Sequence, residues 1–115
     1  MLTVPEVKGF FSPDLEYGRE PDEPDNYFLL IEVDIGIKGQ EDADVFSFVA
    51  VTPKALLNET GYRWGRGWLI LETFSWSQIE EAVHKLCADT SGVSWEQIAR
   101  ELNVWLYWEY DNYKP

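Results

Sequence analysis

Among its 115 residues the chain holds one cysteine, Cys87, and one histidine, His84. A lone thiol rules out an internal disulfide framework and fits a reducing compartment, so the cytosol (cytoplasmic location) is expected. His84 and Cys87 are three residues apart, but no second Cys or His completes a zinc set, and neither metal nor cofactor is expected. His84 falls about 140° from Ile79 around a helix, off the apolar stripe, where Glu80 one turn earlier explains it as a surface pair. Neither residue has the neighbours that a catalytic base or nucleophile needs, and 21 carboxylates place acids together by chance, so no catalytic residue is assigned and no enzyme is expected.

Basic residues are also scarce, 9 Lys and Arg against 21 Asp and Glu, for a net charge of −12. That exceeds the magnitude of about 2 to 8 usual for a small soluble domain. It argues against nucleic acid and anionic membrane as partners and leaves a basic partner or solubility alone as its use. No apolar run approaches 18 residues, and the start, M-L-T-V-P-E-V-K, has neither a basic region nor a long apolar one, so neither export nor membrane spanning is expected. The glycines of G-Y-R-W-G-R-G lack the Lys-Ser or Lys-Thr of a phosphate loop. Glu41, Asp42 and Asp44 lack the sixth-position Gly and terminal Glu of a calcium loop.

What is abundant is aromatic surface, 16% of the chain with six Trp, which must fill a core or stand on a binding face. The organising stretch is W-L-I-L-E-T-F-S-W-S-Q-I-E-E-A-V-H-K-L-C. Trp68 to Phe74 is nearly continuous in apolar residues and reads as a central strand. Ser77 and Glu80 then form a capping box, and Ile79, Ala82, Val83, Leu86 and Cys87 make one helical stripe that must cover a sheet.

Val4 to Phe11, holding Pro5 and Gly9, reads as an edge strand. The Pro-rich, acidic stretch from Ser12 to Asn26 reads as a surface loop, either a solvated connector or a lure for a cationic partner. Tyr27 to Lys38 alternates, with Leu29, Ile31, Val33, Ile35 and Ile37 on one face and Glu32, Asp34 and Lys38 on the other. Val45 to Thr52 completes an antiparallel hairpin with an acidic tip. Thr52 caps a short helix that opens at Pro53. Ser94 and Gln97 cap a second main helix carrying Trp95, Ile98, Ala99 and Leu102. Asn103 is placed as a left-handed stop, and Val104 to Tyr110 as a last strand.

The expected architecture is α+β, one domain over residues 1–115, with a mainly antiparallel four- to five-stranded sheet and two helices packed on one face. Partner-binding candidates are the carboxylates Asp14, Glu16, Asp22, Glu23 and Asp25 of the loop, and Glu41, Asp42 and Asp44 at the hairpin tip. Tyr62, Arg63, Trp64 and Arg66 mix aromatic and cationic groups as interface hot spots do, and Trp105, Tyr107 and Glu109 share one face of the last strand. An alternative use of Trp64 and Trp105 is to line a small-molecule or adaptor pocket, which a cavity would favour.

At I-G-I-K-G in the second strand, at F-S-F-V-A-V-T-P-K-A-L with its strand-to-Pro corner, and at the terminal W-E-Y, the chain resembles the immunity protein 8 family of bacterial polymorphic toxin and contact-dependent growth inhibition systems. The resemblance implies a cytosolic antitoxin that binds the C-terminal domain of a cognate toxin, often a nuclease, and occludes its active site without catalysing anything; a monomer or weak homodimer is expected.

Overall fold

The computed structural model describes residues 2–58, 61–62 and 64–111. Its first three strands, β1 (Pro5–Phe11), β2 (Phe28–Ile37) and β3 (Asp44–Val51), form an antiparallel meander. β1 pairs only with β2, and its register shifts between Val7 and Gly9, which leaves Lys8 as the extra residue of a bulge on an edge strand. The alternation of β2 has its expected result: Ile31, Val33 and Ile35 are buried, opposite Phe46 and Phe48 of β3.

Thr52 turns the chain into α1 (Pro53–Leu57), its Oγ accepting from the N–H of Tyr27 at 3.2 Å and of Ala55 at 3.4 Å. β4 (Trp68–Ile70) then runs parallel to β3, beside Val49 to Val51. β5 (Tyr107–Trp108) pairs antiparallel with Phe46 and Ser47, so two short strands share the outer edge of β3. Among the described residues the result is a mixed, mostly antiparallel five-stranded sheet with three helices.

Helices α2 (Trp76–Ala88) and α3 (Trp95–Leu102) lie on one side of it. Ile79, Val83 and Cys87 of α2 and Ile98, Ala99 and Leu102 of α3 join a single core with the inward residues of β2 and β3. Ser94 caps α3 as expected, accepting from Gln97 N–H at 3.2 Å.

Five local expectations are corrected. Trp68 to Phe74 is not a central strand: only three residues pair, at the sheet's edge. Leu71 and Phe74 owe their apolar character to the core, which they enter from a bend whose Phe74 N–H donates to Pro24 O at 2.7 Å. The α2 cap is Ser75, not Ser77, its Oγ accepting from Gln78 N–H at 3.1 Å. The earlier start lets Trp76 pack against Phe74 and Tyr17 and donate its indole N–H to Arg19 O at 2.8 Å.

Asn103 stays right-handed at φ −67°. The chain therefore continues in tight turns through Val104, Trp105 and Leu106, and only Tyr107 and Trp108 of the expected last strand reach the sheet. Glu80 accepts from the Tyr17 hydroxyl instead of serving His84, whose ring lies edge-on to Phe10 at 6.3 Å between centroids.

Candidate partner-binding surfaces

The acidic candidates form two separated groups. Asp14, Glu16, Asp22, Glu23 and Asp25 are all exposed on the loop between β1 and β2. That loop is strapped to the start of α2 by the Trp76 and Phe74 bonds and by the Tyr17–Glu80 contact, which pushes the Tyr17 phenol above its ordinary pKa range. Glu16 pairs with Arg19 and Asp25 with Lys54 across solvent, contacts of small energetic weight. Exposed Glu41 and Asp42 occupy the hairpin tip at the opposite end of the ten-residue β2, about 30 Å away along the strand.

Asp44 is differently employed. One oxygen of its carboxylate accepts both the Trp95 indole N–H at 2.7 Å and the Trp108 indole N–H at 2.9 Å, fastening β3 to α3 and β5. Glu109 likewise serves the fold, accepting from Val45 N–H while its own N–H donates to Val45 O at 3.0 Å.

Tyr107 is held from three sides. Its hydroxyl donates to Arg66 O at 3.0 Å, the Arg66 guanidinium lies over its ring at 4.4 Å, and its edge abuts Gly67, where a Cβ would come within 2.3 Å of it. Arg66 also donates to the backbone carbonyl and the side-chain oxygen of Asn103, tying this loop to the C-terminal turn. Tyr62 and Trp64 are almost entirely exposed, at 94% and 90%. Arg63 lies outside the described residues.

Trp105, 65% exposed, borders an apolar groove of about 260 Å³ with Phe48, Trp68, Leu69, Val83 and Leu86. Trp64 does not line it. Among the described residues no group of three His, Cys, Asp or Glu side chains could hold a metal ion, and no helix is long and apolar enough to cross a membrane. Burial pushes the Cys87 thiol up to about 11, which leaves it a packed hydrophobe with little thiolate at neutral pH.

The surface that sequence reasoning missed is the sheet face opposite the helices. Strand pairing aligns Phe28, Leu30, Glu32 and Asp34 of β2 there with Phe11 of β1, Ile70 of β4 and Tyr107 of β5. The signal was present in β2: Phe28 and Leu30 share the parity of Glu32 and Asp34, putting apolar side chains where a solvated face takes polar ones.

The family model described as immunity protein 8 matches residues 10–113, from the end of β1 past the last described residue. The chain belongs to the immunity protein 8 family. No curated protein and no solved structure matches it. Family membership makes it an immunity protein, a class that binds a cognate toxin protein, and points to binding rather than catalysis.

Two features behind the initial resemblance have structural causes in this immunity protein. Gly36 of I-G-I-K-G lies beneath the hairpin loop, where a Cβ would come within 2.0 Å of Asp42 O, and Gly39 takes φ +86° to make the turn. Thr52 of the Thr-Pro corner is the fully buried cap of α1.

Proposed function

We propose that this immunity protein, acting through residues 1–115 as one unit in the cytoplasm, neutralises a basic toxin domain by binding it and covering its active site. The observation that carries the reading is the family match over residues 10–113 on a chain of net charge −12. A nuclease must present cationic groups to hold a polyanion, and an acidic protein is complementary to that surface. Nuclease is therefore the toxin class that this charge fits best.

Within this reading the candidate residues divide by role. Asp14, Glu16, Asp22, Glu23, Asp25, Glu41 and Asp42 supply a long-range field that steers encounter, and Tyr62, Trp64 and Trp105 are aromatic side chains available for contact. Asp44, Tyr107 and Glu109 contribute by holding the scaffold. The test is co-expression of the toxin domain encoded at the same locus, followed by titration of its activity. Restored growth and loss of toxin activity at equimolar protein support the proposal; a toxin that stays active in the presence of a folded excess refutes it.

The groove beside Trp105 supports a second reading, a small apolar ligand. At about 260 Å³ it falls just below the roughly 300 to 1,000 Å³ usual for ligand sites, and among the described residues Lys85 and Asp89 are the charged ones that line it. Saturable quenching of tryptophan fluorescence by an apolar probe, lost in Trp105→Ala, would favour it.

A further inference from the structure

Helices α2 and α3 cover one face of the sheet, and the core they share with it includes none of Phe11, Leu30, Glu32, Asp34, Ile70 and Tyr107 on the other. That open face carries large apolar side chains at exposures unusual for a sheet: Phe11 at 59%, Ile70 at 57%, Tyr107 at 40% and Leu30 at 38%. Apolar surface gathered in this way on a chain so highly charged marks an interaction face.

Its centre is charged. Glu32 and Asp34 are successive same-face residues of β2, about 7 Å apart along the strand. Opposite charges across neighbouring strands stabilise a sheet, and like charges side by side do the reverse. Here Glu32 is flanked by Phe11 and Ser47, and Asp34 by Gly9 and Val45, while Lys8 of the adjoining bulge pairs with Glu6 at 2.5 Å. No ion pair is formed by either carboxylate among the described residues.

The two acids line a recess of about 340 Å³ with Gly9, Phe10, Phe11 and Val45. Gly9 leaves it open, since a Cβ there would meet nothing within 4 Å. A cationic side chain laid in the recess would meet two carboxylates while its alkyl stem ran along Phe11 and Val45, the amphipathic fit that Lys and Arg make.

We propose that the open sheet face is the surface on which the toxin docks, with a Lys or Arg of the toxin seated in the recess between Phe11, Glu32, Asp34 and Val45. This rests on the immunity reading above and assigns it a place. A second copy of the chain is a poor occupant, because it would bring the same two carboxylates and a further charge of −12 against the first. A basic protein surface is complementary in both its charge and its apolar rim.

The experiment pairs the wild-type protein with its toxin domain, inactivated by mutation, and measures affinity and carboxyl-labelling footprints. Glu32→Lys with Asp34→Lys is expected to weaken binding by about 100-fold or more and to abolish growth protection. A charge-matched control, Glu81→Lys with Glu101→Lys on the exposed sides of α2 and α3, is expected to stay within about tenfold. In the footprint Glu32 and Asp34 should be labelled in the free protein and protected in the complex. This readout uses the wild-type chain and decides the matter even if the double reversal fails to fold. Equal losses in both double variants, or labelling of Glu32 and Asp34 unchanged by the toxin, would overturn the proposal while leaving the immunity function standing. Failure of the wild-type protein to bind the toxin at all would overturn both. A wild-type dimer in sedimentation that Leu30→Arg dissociates would give the face to a second copy instead.

Discussion

Asp44 stands among the acids that composition alone would assign to a partner, yet its carboxylate is committed within the fold, and the difference is measurable. Its single oxygen takes hydrogen bonds of 2.7 and 2.9 Å from Trp95 and Trp108, both partly buried. Hydrogen bonds to a charged group contribute about 1.5 to 3 kcal/mol net, and loss of the acceptor also strands two indole N–H groups. The two bonds share one atom and are not additive, so Asp44→Ala should cost about 2 to 4 kcal/mol. For a chain of this size that lowers Tm by roughly 10 °C. Asp44→Asn keeps an acceptor of the same shape and loses the charge, and should cost about 1 kcal/mol. Asp42→Ala, at the exposed hairpin tip two residues earlier, should stay within about 0.5 kcal/mol. Urea denaturation followed by tryptophan fluorescence gives all three values, and near-ultraviolet dichroism reports on the two indoles directly. The reasoning is refuted if Asp44→Ala and Asp42→Ala are equally mild and the near-ultraviolet signal is unchanged. A further consequence is that folded Asp44→Ala should bind toxin within about threefold of wild type, because its carboxylate is already engaged by the two indoles.

Four other outcomes follow from the same structure. The Tyr27 hydroxyl is buried with no hydrogen-bond partner among the described residues, so Tyr27→Phe should be neutral or stabilising by up to about 1 kcal/mol in chemical denaturation. Burial pushes Tyr27 up to about 12 and Cys87 up to about 11, from ordinary values of 10.0 and 9.0, so the unfolded chain releases both protons first. Their contribution is therefore whole below pH 9 and is lost as pH rises, through 9 to 11 for Cys87 and 10 to 12 for Tyr27. Melting curves against pH should show a steeper alkaline fall for wild type than for Tyr27→Phe, and parallel curves would contradict it. Ile79→Ala, at 0% exposure, should cost about 2 to 5 kcal/mol, whereas exposed His84→Ala should be close to neutral; equal effects would overturn the helix-face assignment. Neutralising Asp22, Glu23 and Asp25 together should slow association with the toxin and flatten its salt dependence while leaving dissociation nearly unchanged, as stopped-flow measurements at low and high salt would show.

The legibility of this chain follows its periodicity. β2, α2 and α3 each bury one face, so Ile31, Val33, Ile79, Val83 and Ile98 announced themselves through spacing alone. Trp68 to Phe74 misled because burial, not pairing, selects its side chains: Leu71 and Phe74 fill the core from a bend, and a continuous apolar run does not reveal which. At the α2 start both Ser75 and Ser77 satisfied the capping pattern, and the contacts of Trp76 with residues far away in the chain decided between them. The candidate site was harder to read. An acid's chemistry is the same whether it steers a partner, as exposed Asp22 is free to do, or accepts from two indoles, as Asp44 does. Only the fold brings Trp95 and Trp108 to one oxygen.

The arrangement of the layers bears on how an immunity protein of this kind is built. Placing both main helices on one face confines the core to that side, with Ile35, Phe46 and Ile98 at 0% exposure. The opposite face, buried at Val51 but exposed at Leu30 and Ile70, is then free to carry a surface that the isolated protein does not need. Glu32 and Asp34 stand on the middle of the sheet, on the part of β2 that pairs with both β1 and β3, and Leu30 pairs with Val49 of β3, so their positions are fixed before any partner arrives. A docking surface on paired strands loses little conformational entropy on binding. The exposed acids of the loop and hairpin tip, by contrast, lie on connections outside the strands, where the steering proposed for them would act through field. Steering by such connections and recognition by a rigid face divide association from dissociation. Changes to the loop acids should therefore appear in the association rate and its salt dependence. Changes at Glu32 and Asp34 should appear chiefly in how long the complex lasts.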